Sequence, residues 1–138
     1  AMHNLAVWAD KGHDGAIYNL GVRYHHGRGV ETNLSEAVKL YTQAVEKGNA
    51  LAMNNLGYRY QHGQGVEKNP SEAVKLYTQA VEKGNASAMY SLGWCHKYGK
   101  CGLSVDLSEA RRLYRMAADK GHRNAVTALA RLDGHNAP

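Results

Sequence analysis

Apolar and polar positions in this chain alternate with a helical period, and the alternation itself repeats on a longer one. From Asn33 to Ala50 the sequence runs NLSEAVKLYTQAVEKGNA. Within it Ala37, Leu40, Tyr41, Ala44 and Val45 have the three-and-four spacing that lines one stripe of a helix. The same words return from Asn69 to Ala86, 36 positions on, with 17 of 18 residues unchanged. A third version, DLSEARRLYRMAADKGH, occupies 106–122, displaced by one extra residue. A second phrase also recurs, as LGVRYHHGRGV (20–30), LGYRYQHGQGV (56–66) and LGWCHKYGKCGL (92–103). In it Ala16, Leu20, Gly21 and Tyr24 share one face, matched by Ala52, Leu56, Gly57 and Tyr60. Periods of this length mark stacked supersecondary units. Each unit predicts two helices joined by a glycine-rich loop, the first termed inner and the second outer.

The ends of the outer helices are signalled locally. Asn33, Asn69 and Asp106 are expected N-caps, each followed three residues later by Glu36, Glu72 or Glu109, the arrangement of a capping box. Pro70 falls at the first helical position, where proline is tolerated. Lys-Gly pairs at 47–48, 83–84 and 120–121 mark the other end. A glycine inside a helix costs about 1 kcal/mol against alanine. Its recurrence at 21, 57 and 93 predicts a close helix approach, with Ala130 in the same place on a fourth inner helix.

The pattern A-x3-LG-x2-Y-x2-G-x-G-V, then an Asn or Asp cap, then EA-x2-LY-x2-A, resembles the Sel1-like repeat, a relative of the tetratricopeptide repeat with a longer loop. The period of 36 and the GRGV and GQGV loops favour it over the tetratricopeptide form of about 34 residues. The resemblance covers nearly the whole chain. Repeat three departs from it, with His96 where Tyr24 and Tyr60 stand and with an inserted residue, Cys101. The fold implied is all-α, a right-handed α/α solenoid of helix-turn-helix repeats, forming a single domain over 1–138. Its parts are a partial outer helix (1–12), repeats at 13–48, 49–84 and 85–121, and a terminal inner helix (122–138). Trp8 aligns with Ala44, Ala80 and Ala117. Either it caps an open end or the chain is a fragment of a longer array.

Comparison of 15–50 with 51–86 gives eight differences, none within the outer helix body. On the inner helix Tyr18/Asn54, Val22/Tyr58 and His25/Gln61 fall at i, i+4 and i+7, so they share a face. Repeat three has Tyr90, Trp94 and Lys97 there. The resemblance implies that inner helices line a concave surface, which makes these nine residues the expected contacts for a protein or peptide partner. Lys39, Thr42, Gln43 and Glu46 on the outer helix recur unchanged at 75, 78, 79 and 82, which argues against simple drift of solvated positions. The alternative is that Tyr58 and Trp94 plug the packing between inner helices.

Charge changes this picture little. The chain of 138 residues has a net charge of +5, but 1–96 carry 9 basic and 8 acidic side chains. Residues 97–138 carry 8 and 4, including Arg111, Arg112 and Arg115. Most Lys and Arg elsewhere alternate with Glu along helices, and no nucleic-acid reader motif is present, so nucleic acid is not an expected partner. No apolar run approaches 18 residues, and no signal-peptide pattern opens the chain, so membrane insertion is not expected either. Cys95 and Cys101 either form a disulfide, made feasible by a reversal at Gly99, or remain two thiols. A disulfide would indicate an extracytoplasmic compartment and thiols a cytoplasmic one.

Eight histidines raise the question of metal, but His26 and His62, with His25 beside one of them, could share an ion across adjacent helices only with favourable rotamers. Cys95, His96, Cys101 and His122 match no established ligand spacing, so no metal or other cofactor is expected. Glu36, Glu72 and Glu109 are accounted for by capping, and the glycine loops lack the setting of a phosphate loop. The expectation is therefore a non-catalytic adaptor. Two other readings remain: a cell-wall-related hydrolase or small-ligand binder, as suggested for cysteine-rich relatives, and a regulatory segment of a larger enzyme. Oligomeric state is left open.

Overall fold

The structure is a computed structural model that describes residues 2–134, and these form eight α-helices without a strand. They are α1 (Met2–Asp10), α2 (Asp14–His26), α3 (Leu34–Glu46), α4 (Ala50–His62), α5 (Pro70–Glu82), α6 (Ala86–Tyr98), α7 (Leu107–Asp119) and α8 (Arg123–Gly134). The helices termed inner in the sequence reading are α2, α4, α6 and α8, and those termed outer alternate with them along the chain. The structure divides into two compact units between Leu76 and Tyr77.

In unit one, α1 packs on α2, α2 on α3 and α3 on α4. The stripe read from the sequence is the core: Ala37, Leu40, Tyr41 and Ala44 of α3 are buried together with Ile17 of α2 and Ala52 and Leu56 of α4. In unit two, α6 packs on α7 and α7 on α8. There Met89, Ala110, Tyr114, Ala117, Ala125 and Leu132 are buried.

The recurrent glycine has a physical partner. A Cβ on Gly21 would stand 2.8 Å from the Tyr41 ring, and one on Gly93 would stand 2.8 Å from the Tyr114 ring. Only hydrogen at that position leaves room for the buried tyrosine ring against the inner helix of its own repeat. Ala130 does not play this part. It is exposed, because no outer helix follows α8 among the described residues.

The expected N-caps are present, while the capping box is only half made. Asn33, Asn69 and Asp106 accept from the N–H of Glu36, Glu72 and Glu109 at 3.0, 3.2 and 3.0 Å. The reciprocal bond from the glutamate is replaced by backbone. The N–H of Asn33 donates to the Tyr24 carbonyl, that of Asn69 to Tyr60 and that of Asp106 to His96, each at 2.9 Å. Freed of that task, Glu72 meets Lys75 at 3.8 Å and Glu109 meets Arg112. The inner helices have caps of their own. Asn49 and Asn85 accept from the N–H of Ala52 and Ala88 at 2.8 Å, and His122 Nδ1 accepts from Ala125 N–H at 3.2 Å.

Candidate interaction surface

The nine residues of the variable stripe lie on inner helices: Tyr18, Val22 and His25 on α2, Asn54, Tyr58 and Gln61 on α4, and Tyr90, Trp94 and Lys97 on α6. All but Tyr58 are half-buried, which is what a face partly covered by neighbouring side chains gives.

In unit one, Tyr18 leans on the buried Tyr41, ring centroids 5.7 Å apart. Tyr58 is 43% exposed, with its ring over the Arg59 guanidinium at 4.8 Å and beside His62 at 4.2 Å. Arg59 is itself buried and donates from Nη1 to His25 Nε2 at 2.8 Å. With Nε2 accepting, the neutral ring carries its proton on Nδ1, which faces the Tyr41 hydroxyl at 3.4 Å. Burial first, then the Arg59 and His26 charges, hold the His25 pKa below its ordinary value. Burial also pushes the Tyr41 hydroxyl up to about 12. Val22 joins a separate hollow of about 440 Å³ with Trp8, Asn19 and Arg23, so α1 and α2 share that part of the face.

In unit two the three nominated residues converge. Tyr90, Trp94 and Lys97 of α6 line a hollow of about 280 Å³ with Asn124, Thr127 and Arg131 of α8, against Tyr114. Tyr90 is fixed on two sides, 5.6 Å from Tyr114 and stacked 5.1 Å from His122. Trp94 rests on Tyr98 at 5.1 Å, and Lys97 lies over the Tyr98 ring at 5.0 Å. Sequence comparison missed Tyr98 and the α8 residues. The two repeats whose differences define the stripe carry the same residue, His26 and His62, at the place of Tyr98, and α8 lies beyond the two repeats compared.

Cys95 lies buried in α6 and Cys101 half-buried in the loop after it, with their sulfurs 2.8 Å apart. Contact with Cys101 and burial hold the Cys95 thiol far above its ordinary range, the reverse of what a thiolate nucleophile requires. Among the described residues no group of three or more His, Cys, Asp or Glu is arranged to hold a metal ion. Nor is any helix among them long and apolar enough to cross a membrane.

Paired helices of about 36 residues, with buried tyrosines between inner and outer members, define an α/α solenoid of the tetratricopeptide-like class. A family model for the Sel1 repeat matches residues 14–49, 50–85 and 86–122, and the chain belongs to that family. Two crystal structures are similar to it. One is a protective antigen present in uropathogenic Escherichia coli strains and displaying an SLR fold. It is 36% identical with a TM-score of 0.83, over 88% of this chain and 26% of that one. The other is a Sel1 repeat protein from Oxalobacter formigenes, 37% identical with a TM-score of 0.82, over 88% of this chain and 48% of that one. The chain thus spans about a quarter and about half of these two structures. Comparison with curated proteins gives no match.

Proposed function

We propose that this chain is a non-catalytic scaffold that holds a protein or peptide segment against the faces of its inner helices. The observation that carries this reading is the hollow of unit two, where Tyr90 and Trp94 stand among Lys97, Asn124, Thr127 and Arg131. Aromatic anchors bordered by hydrogen-bonding groups are what interface hot spots consist of. Tyr90 is already held between Tyr114 and His122, so a ligand meets a ring that needs little further ordering. Two cations on the rim favour a segment that carries a carboxylate beside an apolar side chain. The contacts nominated in unit one, Tyr18, Val22, His25, Asn54, Tyr58 and Gln61, belong to the same reading, with Tyr58 as the most exposed anchor. The Sel1 family is typically a protein-interaction scaffold, which agrees with it.

Selection of a displayed peptide library on the purified chain tests the proposal. Enriched sequences should combine an aromatic or aliphatic residue with an acidic one. Trp94→Ala, verified as folded by circular dichroism, should weaken them by on the order of 2 kcal/mol, about thirtyfold. Peptides that bind wild type and Trp94→Ala equally would place recognition on another surface.

A further inference from the structure

Repeat three differs from repeats one and two at two positions that meet in space. Cys95 occupies the place of Arg23 and Arg59 on the inner helix, and Cys101 is the residue inserted into the loop that follows. The backbone brings the insertion back over the helix end. Gly99 and Lys100 both donate to the Cys95 carbonyl, and Leu103 N–H closes a turn onto Lys100 at 3.0 Å. Cys101 takes a φ of +61° and is the only non-glycine residue among those described with positive φ. Side-chain-bearing residues avoid that conformation. Here it puts the Cys101 sulfur 2.8 Å from that of Cys95. A substitution, an insertion and an unusual backbone conformation thus combine to bring two sulfurs together.

We propose that Cys95 and Cys101 are a disulfide-forming pair, closed by thiol–disulfide exchange with a small-molecule disulfide of the oxidised-glutathione class, with Cys101 as the entry thiol and Cys95 as the resolving one. In the first step the Cys101 thiolate attacks one sulfur of the oxidant. The oxidant's S–S bond breaks, a mixed disulfide forms on Cys101, and the departing thiolate takes up the proton that Cys101 released. In the second step Cys95 gives up its proton and its sulfur attacks the Cys101 sulfur. The protein S–S bond forms, the mixed bond breaks, and a second small thiol leaves with that proton. Two protein thiols are oxidised and one external disulfide is reduced to two thiols. The order follows from access, since Cys101 is half-exposed and Cys95 has no exposed surface. Contact with Cys101 and burial keep the Cys95 thiol protonated, so it does not start the exchange. Closure ties the last turn of α6, next to Trp94, to the loop that leads into α7.

The reduced chain is incubated with oxidised glutathione, quenched with acid and weighed intact. Wild type should lose two hydrogens, retain no adduct and present no thiol to an alkylating reagent. Cys95→Ser should hold one glutathione on Cys101. Cys101→Ser should react at least about tenfold more slowly than Cys95→Ser, because its remaining thiol is buried. Cys95→Ala is run alongside in case serine disturbs the core, and all variants are checked by circular dichroism. Wild type that stays as two thiols, or that keeps a stable glutathione adduct, overturns the proposal whatever the variants do. Equal rates for Cys101→Ser and Cys95→Ser overturn the assigned order.

Discussion

Gly15 and Gly21 stand six residues apart on α2 and answer to different demands. Nothing lies within 4 Å of a Cβ placed on Gly15, whereas one on Gly21 meets the Tyr41 ring at 2.8 Å. Gly15→Ala should therefore stabilise the chain, by up to about 1 kcal/mol, since only backbone freedom is lost from the unfolded state. Gly21→Ala collects the same propensity gain but forces a buried ring to move, and overpacking costs typically 1–3 kcal/mol. The second term wins, and a net loss of roughly 1 kcal/mol should appear in urea unfolding. His25 makes a prediction in pH. Its folded-state pKa is lowered, so the unfolded chain binds the proton more readily. The stability it contributes is complete above its ordinary pKa of about 6.5 and is lost as pH falls below that. His62 and His122, also lowered chiefly by burial, act in the same direction. The thermal midpoint should drop between about pH 7.5 and pH 5.5. His25→Gln, which installs the residue that repeat two carries at Gln61, should reduce that drop. An unchanged drop would remove His25 as its source.

At the scale of elements, helix ends were legible where the signal is local and stayed hidden where it is not. Asn33, Asn69 and Asp106 could be read as caps because a cap and its partner are three residues apart. Asn49 and Asn85 carry the same local signal directly after the Lys-Gly pairs that end the outer helices, and each caps the helix that follows. Asn85→Ala should cost about 1 kcal/mol in chemical unfolding. Asn49→Ala should cost more, because the Asn49 amide also donates to Asp14 at 2.9 Å. No local signal exists for the Arg59–His25 bond, which joins residues 34 apart, or for the tyrosines that Gly21 and Gly93 face. The stripe itself was legible as a face, because helical spacing alone decides that. Its half-burial was not, since Tyr18 and Tyr90 owe it to Tyr41 and Tyr114 on other helices.

Over the whole molecule, protection should follow burial rather than helix length. The described residues of α1 include none that is buried, and Trp8 of that helix is 50% exposed, while Tyr41 of α3 and Tyr114 of α7 are sealed in the cores of their units. Native-state hydrogen exchange should therefore be fastest in α1 and slowest around Tyr41 and Tyr114. Protection of α1 equal to that of α3 would show that something other than burial holds it. The backbone bond from each outer-helix cap to the preceding inner helix has a longer reach. It keeps its 2.9 Å length in repeat three, although the loop there is one residue longer and His96 has replaced tyrosine. Main-chain atoms make it, so side-chain identity is not what it depends on. A stretch of coding sequence duplicated in the gene would bring its own fastening with it, and later errors in the loop would leave the helix pair closed. The near-verbatim second repeat and the lengthened third one both keep that bond at 2.9 Å.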